Sequence, residues 1–285
     1  MHKSRCFEIN GRTLAAMEWG NPAGEPVLAL HGWLDNAATF NLLAPLLPDV
    51  RLVALDLAGH GESHHRPAGT PYYIWDNVAD VLAVADQLGL RRFSLLGHSM
   101  GATAAMLLAG CAPARIRRLF LIEGLAPLVY ASEELPVLMA AALDKRSRMG
   151  RKSLRPYAEF EQAVAARMGG RWPVSRQAAL WLLERGLARC EGGWRWRSDP
   201  ALLLPSVVRL CEAQVEAFLV RVSAPVVLIL GDQGIASERM ERQLALLQDA
   251  QLHVLVGNHH LHLESDAAAE IATLIINGLQ EPAGC

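Results

Sequence analysis

The sequence has little that would direct it to an oxidising compartment or into a membrane. Its 285 residues include five cysteines, and no two of them have the C-x-x-C spacing of a zinc or redox site. The N-terminal residues lack the apolar stretch of a secretion signal, and no apolar run reaches the roughly 18–20 residues that span a bilayer. These absences predict a cytoplasmic protein with free thiols and no membrane span.

The chain also lacks an excess of charge of one sign. It has 27 Lys and Arg against 29 Asp and Glu, which gives a formal net charge of −2. This balance gives no general electrostatic reason to bind nucleic acid or anionic lipid. The glycine-rich stretches fit neither G-x-G-x-x-G after a strand nor a P-loop. We therefore predict no cofactor, no metal and no nucleic-acid partner, and no feature favours one oligomeric state.

Short apolar runs alternate with longer helical stretches over the first 123 residues. Strand-sized runs lie at 27–30, 52–55, 93–96 and 116–122, and helical spacing lies at 74–88 and 102–109. This alternation predicts a mostly parallel sheet with helices on both faces. Asn10-Gly11 between two apolar runs predicts a hairpin that adds antiparallel strands at one edge.

The alternation stops after Glu123 and resumes near residue 206. Helix-like stretches lie between these points at 135–143, 156–168 and 175–188. After them come strands at 226–230 and 252–256 and helices near 206–220, 237–247 and 267–279. The sequence thus predicts a core of residues 1–123 and 206–285, with a helical cap of residues 124–205 inserted after the sixth parallel-type strand.

The predicted cap carries 13 Lys and Arg against 8 Asp and Glu. We favour the interpretation that these charges lie on solvated helix faces, and the alternative is that they attract anionic substrates. Four of the seven tryptophans lie in the cap, where they either line a pocket or form the cap's own core. They are Trp172, Trp181, Trp194 and Trp196.

A G-x-S-x-G pattern, Gly97-His98-Ser99-Met100-Gly101, follows the apolar run at 93–96 and opens the helical stretch at 102–109. This strand–turn–helix context is what gives the pattern its meaning. Glycines on either side remove side chains that would collide in a sharp turn. The serine is thereby presented at the carboxyl end of the sheet, where ligand crevices form, next to a helix N-terminus. We predict that Ser99 is a nucleophile.

Several motifs together resemble the α/β-hydrolase superfamily over nearly the whole chain outside the cap. They are His31-Gly32-Trp33, residues 56–63, residues 97–101 and the late histidine cluster at 259–262. Residues 31–36, Glu191-Gly192-Gly193-Trp194 and Ser198-Asp199-Pro200 are similar to the serine hydrolase-like, Kraken-type subgroup. The resemblance implies the α/β-hydrolase fold and a Ser-His-acid triad that acts on a small-molecule acyl substrate.

The resemblance also implies which groups serve as oxyanion donors and as base. The backbone N–H groups of Trp33 and Met100 would stabilise the oxyanion. A serine hydroxyl needs an adjacent base, and the family register places His259 in that position, with His260 as the competing choice. A metal site in this cluster is not favoured, because no cysteine or carboxylate set completes it.

The triad acid is where the sequence departs from the family pattern. Most of the superfamily carries an aspartate three residues after a glycine, but Gly231 here is followed at that distance by Gly234. We favour Glu123, which ends the apolar run at 116–122 and resembles the acid position of some haloalkane dehalogenases. The alternatives are Asp232 as the acid, if the loop shifts by two residues, and Glu123 as a carboxylate that only anchors the cap.

These assignments favour an esterase or thioesterase of the carboxylesterase type that uses an acyl-enzyme intermediate. Acyl transfer, perhydrolysis and carbon–carbon bond cleavage are alternatives on the same fold. The dehalogenases and epoxide hydrolases of the superfamily that this chain resembles use a carboxylate as nucleophile. The serine at position 99 therefore argues against their chemistry. A third hypothesis, prompted by Gly234, is a catalytically weak binding protein that keeps the fold.

Overall fold

The computed structural model describes residues 2–149 and 156–281 and has a mostly parallel sheet at its centre. The strands are β1 (Lys3–Ile9), β2 (Arg12–Gly20), β3 (Glu25–Leu30), β4 (Val50–Leu55), β5 (Phe93–His98), β6 (Ile116–Ile122), β7 (Leu187–Cys190), β8 (Gly193–Trp196), β9 (Val226–Gln233) and β10 (Ala250–Asn258). Eight of them form one sheet in the order β1-β2-β4-β3-β5-β6-β9-β10. β2 pairs antiparallel with β1 and β4, and the other neighbours are parallel, which confirms the predicted sheet.

The β1–β2 hairpin turns at the predicted dipeptide. Ile9 pairs with Arg12, so Asn10 and Gly11 are the whole loop. Their φ angles are 51° and 73°. A two-residue turn that matches the twist of its strands needs positive φ at both positions, which Asn and Gly adopt with the least strain.

Helices cover both faces of the sheet, as predicted. They are α1 (Asp76–Gln87), α2 (Met100–Cys111), α3 (Leu135–Met149), α4 (Phe160–Met168), α5 (Arg176–Gly186), α6 (Glu212–Leu219), α7 (Glu238–Leu244) and α8 (Ser265–Gln280). α1, α2 and α6 pack on one face, while α8 and residues 37–47 pack on the other. Residues 27–30 of β3 are all apolar and fully buried, as expected for a strand that is covered on both faces. Burial of this kind fixes the loops at the carboxyl ends of the strands.

The segment between β6 and α6 contains α3, α4 and α5 and also a small antiparallel sheet of β7 and β8. The predicted helix at 175–188 was therefore too long, since α5 ends at Gly186 and β7 begins at Leu187. Glu191 and Gly192 make the turn between the two strands, and Gly192 has a φ of 84°. The division of the chain into core and cap stays a prediction, and residues 1, 150–155 and 282–285 of the two predicted units lie outside the described residues.

Two other predicted helices start later than the sequence indicated. The helix near 206–220 begins at Glu212, where the Gln214 side chain accepts a hydrogen bond from the backbone N–H of Cys211. Leu210 forms an isolated parallel bridge with Val129 instead of joining this helix. The helix predicted at 156–168 begins at Phe160, after Tyr157 bridges to Trp194 of β8. Contacts between distant parts of the chain thus shorten both helices.

No helix in the described part of the chain is both long enough and apolar enough to cross a bilayer.

Candidate active site

Ser99 occupies a strained turn between β5 and α2. Its φ of 51° and ψ of −113° lie outside the conformations that most residues adopt. A Cβ atom on Gly97 would lie 2.5 Å from the backbone of Ala102, and one on Gly101 would lie 2.1 Å from the carbonyl oxygen of Leu30. Only glycine fits at either position, so the sharp turn that presents the Ser99 side chain depends on both glycines.

His259 follows β10 and lies between the other two predicted triad members. Its Nε2 is 2.9 Å from Ser99 Oγ, and its Nδ1 is 2.9 Å from Glu123 Oε2. Because a carboxylate only accepts hydrogen bonds, Nδ1 carries the proton and Nε2 is left to accept one from the serine hydroxyl. His98 Nε2 donates to the backbone oxygen of His259 at 2.8 Å and so holds this loop in place.

Glu123 directly follows β6 and its side chain is fully buried. Its Oε1 accepts a hydrogen bond from Gly231 N–H at 2.6 Å, and its Oε2 accepts one from Ile235 N–H at 3.0 Å. Together with His259, these donors satisfy a charge that would be costly to bury alone. Glu123 also has a positive φ of 51°, a strained conformation of the kind that clusters at functional sites.

The glycine at the family's acid position lies against the Glu123 carboxylate. A Cβ atom on Gly234 would be 2.1 Å from Glu123 Oε1. The carboxylate therefore occupies the space into which a side chain at position 234 would extend. Asp232 is not brought to His259, because it is exposed and its Oδ1 accepts a hydrogen bond from Gly257 N–H at 2.9 Å.

The two predicted oxyanion donors lie beside the nucleophile. Met100 begins α2, where backbone N–H groups have no partner within the helix, and Trp33 follows β3. Among the described residues, neither backbone N–H donates to a protein acceptor. The Trp33 indole N–H donates to Leu202 O at 3.1 Å, which fixes the loop that carries it. His31 braces the same loop, because its Nε2 accepts a hydrogen bond from Leu57 N–H at 3.0 Å.

A buried polar cluster behind the triad was missed by sequence reasoning. His260, the competing base, contacts Asp35 Oδ2 at 3.2 Å instead of Ser99. Arg167 of α4 donates to Asp35 Oδ1 at 3.0 Å. Although burial alone would raise the pKa of Asp35, the His260 hydrogen bond and the Arg167 charge hold it well below its usual range. Asp35 and Arg167 are 132 positions apart, and no local pattern connects them.

This cluster also bears on the predicted absence of a metal. One potential ligand atom from each of Asp35, His98 and His260 lies within 4.8 Å of the others, so a carboxylate does join the histidines here. An Arg167 guanidinium nitrogen lies 3.0 Å from both Asp35 Oδ1 and His260 Nε2. A cation is thus already present where a metal would bind, and the absence of a metal stays our prediction.

The triad opens into a cavity of about 980 Å³. Its walls are largely apolar and include Ile74, Trp75, Leu125, Val208, Leu210 and Met240. Of the four cap tryptophans, Trp172 lines this cavity, and its ring centre lies 5.1 Å from that of His259. Trp181, Trp194 and Trp196 instead pack against the apolar cluster of the inserted segment. The tryptophans are therefore divided between the two predicted roles.

A parallel sheet with a serine at the β5–α2 turn and an imidazole after the last strand is typical of the α/β-hydrolase class. The profile of the Alpha/beta hydrolase family matches residues 27–274, and the chain belongs to this family. Within it, the predicted serine hydrolase-like subgroup is also confirmed. A "Serine hydrolase-like protein" of Danio rerio is 31% identical over 280 residues, which are 94% of this chain and 85% of that protein.

Solved structures agree with this assignment. The crystal structure of a hypothetical protein of Pseudomonas aeruginosa PAO1 has a TM-score of 0.94 at 45% identity and covers 98% of this chain and 100% of that one. The "Thioesterase Domain From Curacin Biosynthetic Pathway" has a TM-score of 0.86 at 27% identity, with 97% and 99% coverage. The protein is therefore an α/β-hydrolase, and its reaction has to be argued from the site.

Proposed function

We propose that this protein hydrolyses carboxylic esters or thioesters through an acyl-enzyme intermediate, with Ser99 as nucleophile, His259 as base and Glu123 as acid. The observation that carries the proposal is the continuous chain of contacts from Ser99 Oγ to His259 to Glu123, with both distances 2.9 Å. These are hydrogen-bond distances at which a proton can pass from the hydroxyl to the imidazole.

In the first half of the reaction, Ser99 Oγ attacks the carbonyl carbon while His259 Nε2 takes its proton. The carbonyl oxygen becomes an oxyanion, and the N–H groups of Trp33 and Met100 stabilise it. When the intermediate collapses, the bond to the alcohol or thiol breaks and His259 returns the proton to that leaving group. Glu123 stays ionised, keeps the proton on Nδ1 and stabilises the imidazolium.

In the second half, water replaces the serine hydroxyl as the nucleophile. His259 takes a proton from the water, and the resulting hydroxide attacks the acyl-enzyme carbonyl. Collapse of the second intermediate breaks the bond to Ser99 Oγ, which regains its proton from His259. The products are the free acid and the unchanged enzyme.

The contacts of Glu123 remove the reason for the hypothesis of a catalytically weak binding protein. It was prompted by the missing aspartate at position 234, but the Glu123 carboxylate lies in the space in front of Gly234 and contacts His259. A thioesterase domain among the structural relatives supports the inclusion of thioesters.

The cytoplasmic location remains a prediction, and the four cysteines in the described residues are free.

The decisive experiment combines an ester assay with active-site labelling. We expect the wild type to hydrolyse p-nitrophenyl esters and to be labelled by a fluorophosphonate probe, and Ser99→Ala to abolish both. Ser206→Ala is the matched control, since this serine borders the same cavity but its hydroxyl donates to Val208 O. Hydrolysis that persists in the folded Ser99→Ala protein at the wild-type rate would overturn the proposal.

A further inference from the structure

The cavity that holds the triad is bordered by an excess of positive charge. Its lining includes four arginines, Arg171, Arg209, Arg239 and Arg242. Two of them are neutralised within the described part of the chain: Arg239 lies 3.5 Å from Glu212, and Arg242 lies 4.0 Å from Glu238. Arg171 and Arg209 contact aromatic rings and have no carboxylate partner among the described residues. Two uncompensated cations therefore face one cavity.

Arg209 is held rigidly and still has hydrogen-bonding capacity to spare. Its guanidinium lies 4.4 Å from the centre of the Tyr130 ring, and it also donates to the Tyr130 hydroxyl. The bridge between Val129 and Leu210, together with the hydrogen bond from Tyr130 N–H to Leu210 O at 3.0 Å, joins the two segments. The Tyr130 hydroxyl is the acceptor that Arg209 has among the described residues, through Nη1. Because Arg209 lines the cavity, the rest of its guanidinium is left to donate to a ligand there.

The acidic groups of the cavity do not neutralise this charge. The Glu123 carboxylate is shared among two backbone N–H groups and His259, and Glu238 is the partner of Arg242. Arg171 adds a second cation on the side of the inserted segment, where it lies 5.5 Å from the centre of the Trp172 ring. A substrate without charge would leave the half-buried Arg209 guanidinium without a counter-charge beside largely apolar walls.

We propose that the substrate carries an anionic oxygen group, a carboxylate or a phosphate, which Arg209 binds while the ester or thioester lies at Ser99. A guanidinium presents paired N–H donors that match such a group, and the surrounding apolar walls strengthen the interaction. Tyr130 positions Arg209, and Arg171 adds attraction at the rim of the cavity. This inference rests on the proposed function, because it names the substrate class of the same site.

The anion can belong to the acyl part or to the leaving group, and two substrate pairs separate these sources. For the acyl part, the p-nitrophenyl monoester of glutaric acid is compared with neutral p-nitrophenyl valerate. For the leaving group, butyryl-phosphopantetheine is compared with butyryl-pantetheine. The readout is the ratio of kcat/KM for the anionic member to that for the neutral member, which cancels any general loss of activity.

We expect the wild type to prefer the anionic member of one pair, and Arg209→Gln to lower that ratio by about 10- to 100-fold, the value of a hydrogen bond to a charged group. Arg209→Lys keeps the charge and should retain part of the preference. Arg189→Gln is the matched control, since Arg189 lies 4.5 Å from the centre of the Trp194 ring but outside the cavity. Circular dichroism establishes that each variant is folded.

The two proposals fail in different ways. If neither member of either pair is hydrolysed and Ser99 is not labelled, the proposed function fails. The anion site is then tested by calorimetry, which measures the affinity of the glutarate monoester for two proteins. One is the Ser99→Ala variant, and the other carries Arg209→Gln as well. If the enzyme is active and Arg209→Gln leaves both ratios unchanged, the anion site is wrong.

Discussion

At the scale of single residues, the candidate site depends on where one carboxylate comes from. Glu123 reaches His259 from the end of β6, while the end of β9 and the loop after it contribute only backbone N–H groups and the space at Gly234. Two residues 111 positions apart in the chain are thus mutually dependent, since an acid at one position requires the absence of a side chain at the other.

Replacing Glu123 by glutamine should abolish most of the activity. The amide has the size of the carboxylate but can donate to Nδ1, which favours the wrong tautomer of His259, and a similar change in a serine protease lowers kcat by about 10⁴-fold. We expect kcat for p-nitrophenyl butyrate to fall by about 10³- to 10⁴-fold. Asp232→Asn is the control and should stay near the wild-type rate. The reverse ranking of the two variants would make Asp232 the acid.

Gly234→Ala tests the space that the Glu123 carboxylate needs. The new methyl group would lie 2.1 Å from Oε1, so the carboxylate has to move and His259 loses its orientation. Misplacement of this size costs about 10²-fold in rate, and we expect a loss of about 10- to 100-fold in kcat. Gly170→Ala is the control, because its Cβ would have only ordinary contacts at 3.5 Å or more. Full activity in Gly234→Ala would show that the carboxylate lies elsewhere.

At the scale of elements, α4 is connected to the loop that carries the base. Arg167 of α4 contacts both Asp35 and His260, the residue after His259. Removing Arg167 leaves the buried Asp35 carboxylate with one charged partner fewer. The inserted segment and the loop of His259, the proposed base, therefore share a polar contact, and a change in one is expected to reach the other.

Arg167→Ala should lower both stability and kcat. Loss of a partner for a buried charge costs about 1–3 kcal/mol of unfolding free energy, and a displaced His260 disturbs its neighbour His259. Arg176→Ala is the matched control, because Arg176 and Glu161 form an exposed pair whose loss should cost at most about 1 kcal/mol. Urea unfolding and ester kinetics on both variants measure the difference. Equal effects would contradict the role of Arg167.

The elements that could be predicted from the sequence are those determined by neighbouring residues. The β5–α2 turn follows from the spacing of Gly97, Ser99 and Gly101, and the first hairpin follows from Asn10-Gly11. The β7–β8 sheet and the Asp35–Arg167 pair depend on contacts between distant segments, which leave no local periodicity. His259 needed the family register as well, because three histidines within four residues are equivalent as a local pattern.

At the scale of the whole molecule, several histidines are buried without charge. Burial lowers the pKa of His31 to about 4 and the pKa values of His60 and His262 to about 3. The pKa of His98 is also held well below its usual range, by burial and by its histidine neighbours. These four side chains accept protons far more readily in the unfolded chain than in the folded protein.

The protein should therefore lose stability as the pH falls below about 6.5, the pKa of an unfolded histidine. Between that pH and the folded-state values the unfolded chain binds more protons, and each such histidine costs up to about 1.4 kcal/mol per pH unit. Urea unfolding at pH 7 and pH 5.5 measures the slope. His60→Gln should reduce the slope, while His65→Gln, which changes an exposed histidine, should not. An unchanged slope in His60→Gln would contradict this account.

A second buried ion pair, besides that of Arg167 and Asp35, joins the inserted segment to the loops of the sheet. Arg185 of α5 lies 2.9 Å from Asp56, which follows β4, and Asp56 also accepts hydrogen bonds from the backbone N–H groups of Ala37 and Glu62. Asp56 is fully buried, so its charge has no alternative partner in water. Asp56 thereby braces its own loop and also holds α5.

Arg185→Ala should separate the unfolding of the inserted segment from that of the sheet. Leaving the Asp56 charge unpaired lowers the free energy of unfolding by about 3–5 kcal/mol. The destabilised contact is the one between the inserted segment and the sheet. Tryptophan fluorescence, which reports mainly on the inserted segment, should change at lower urea than the circular dichroism of the whole chain. Arg195→Ala, an exposed residue of β8, is the control and should keep the two transitions together. Coincident transitions in Arg185→Ala at the wild-type midpoint would mean that the other contacts, such as that of Arg167 with Asp35, hold the segment on the sheet without Arg185.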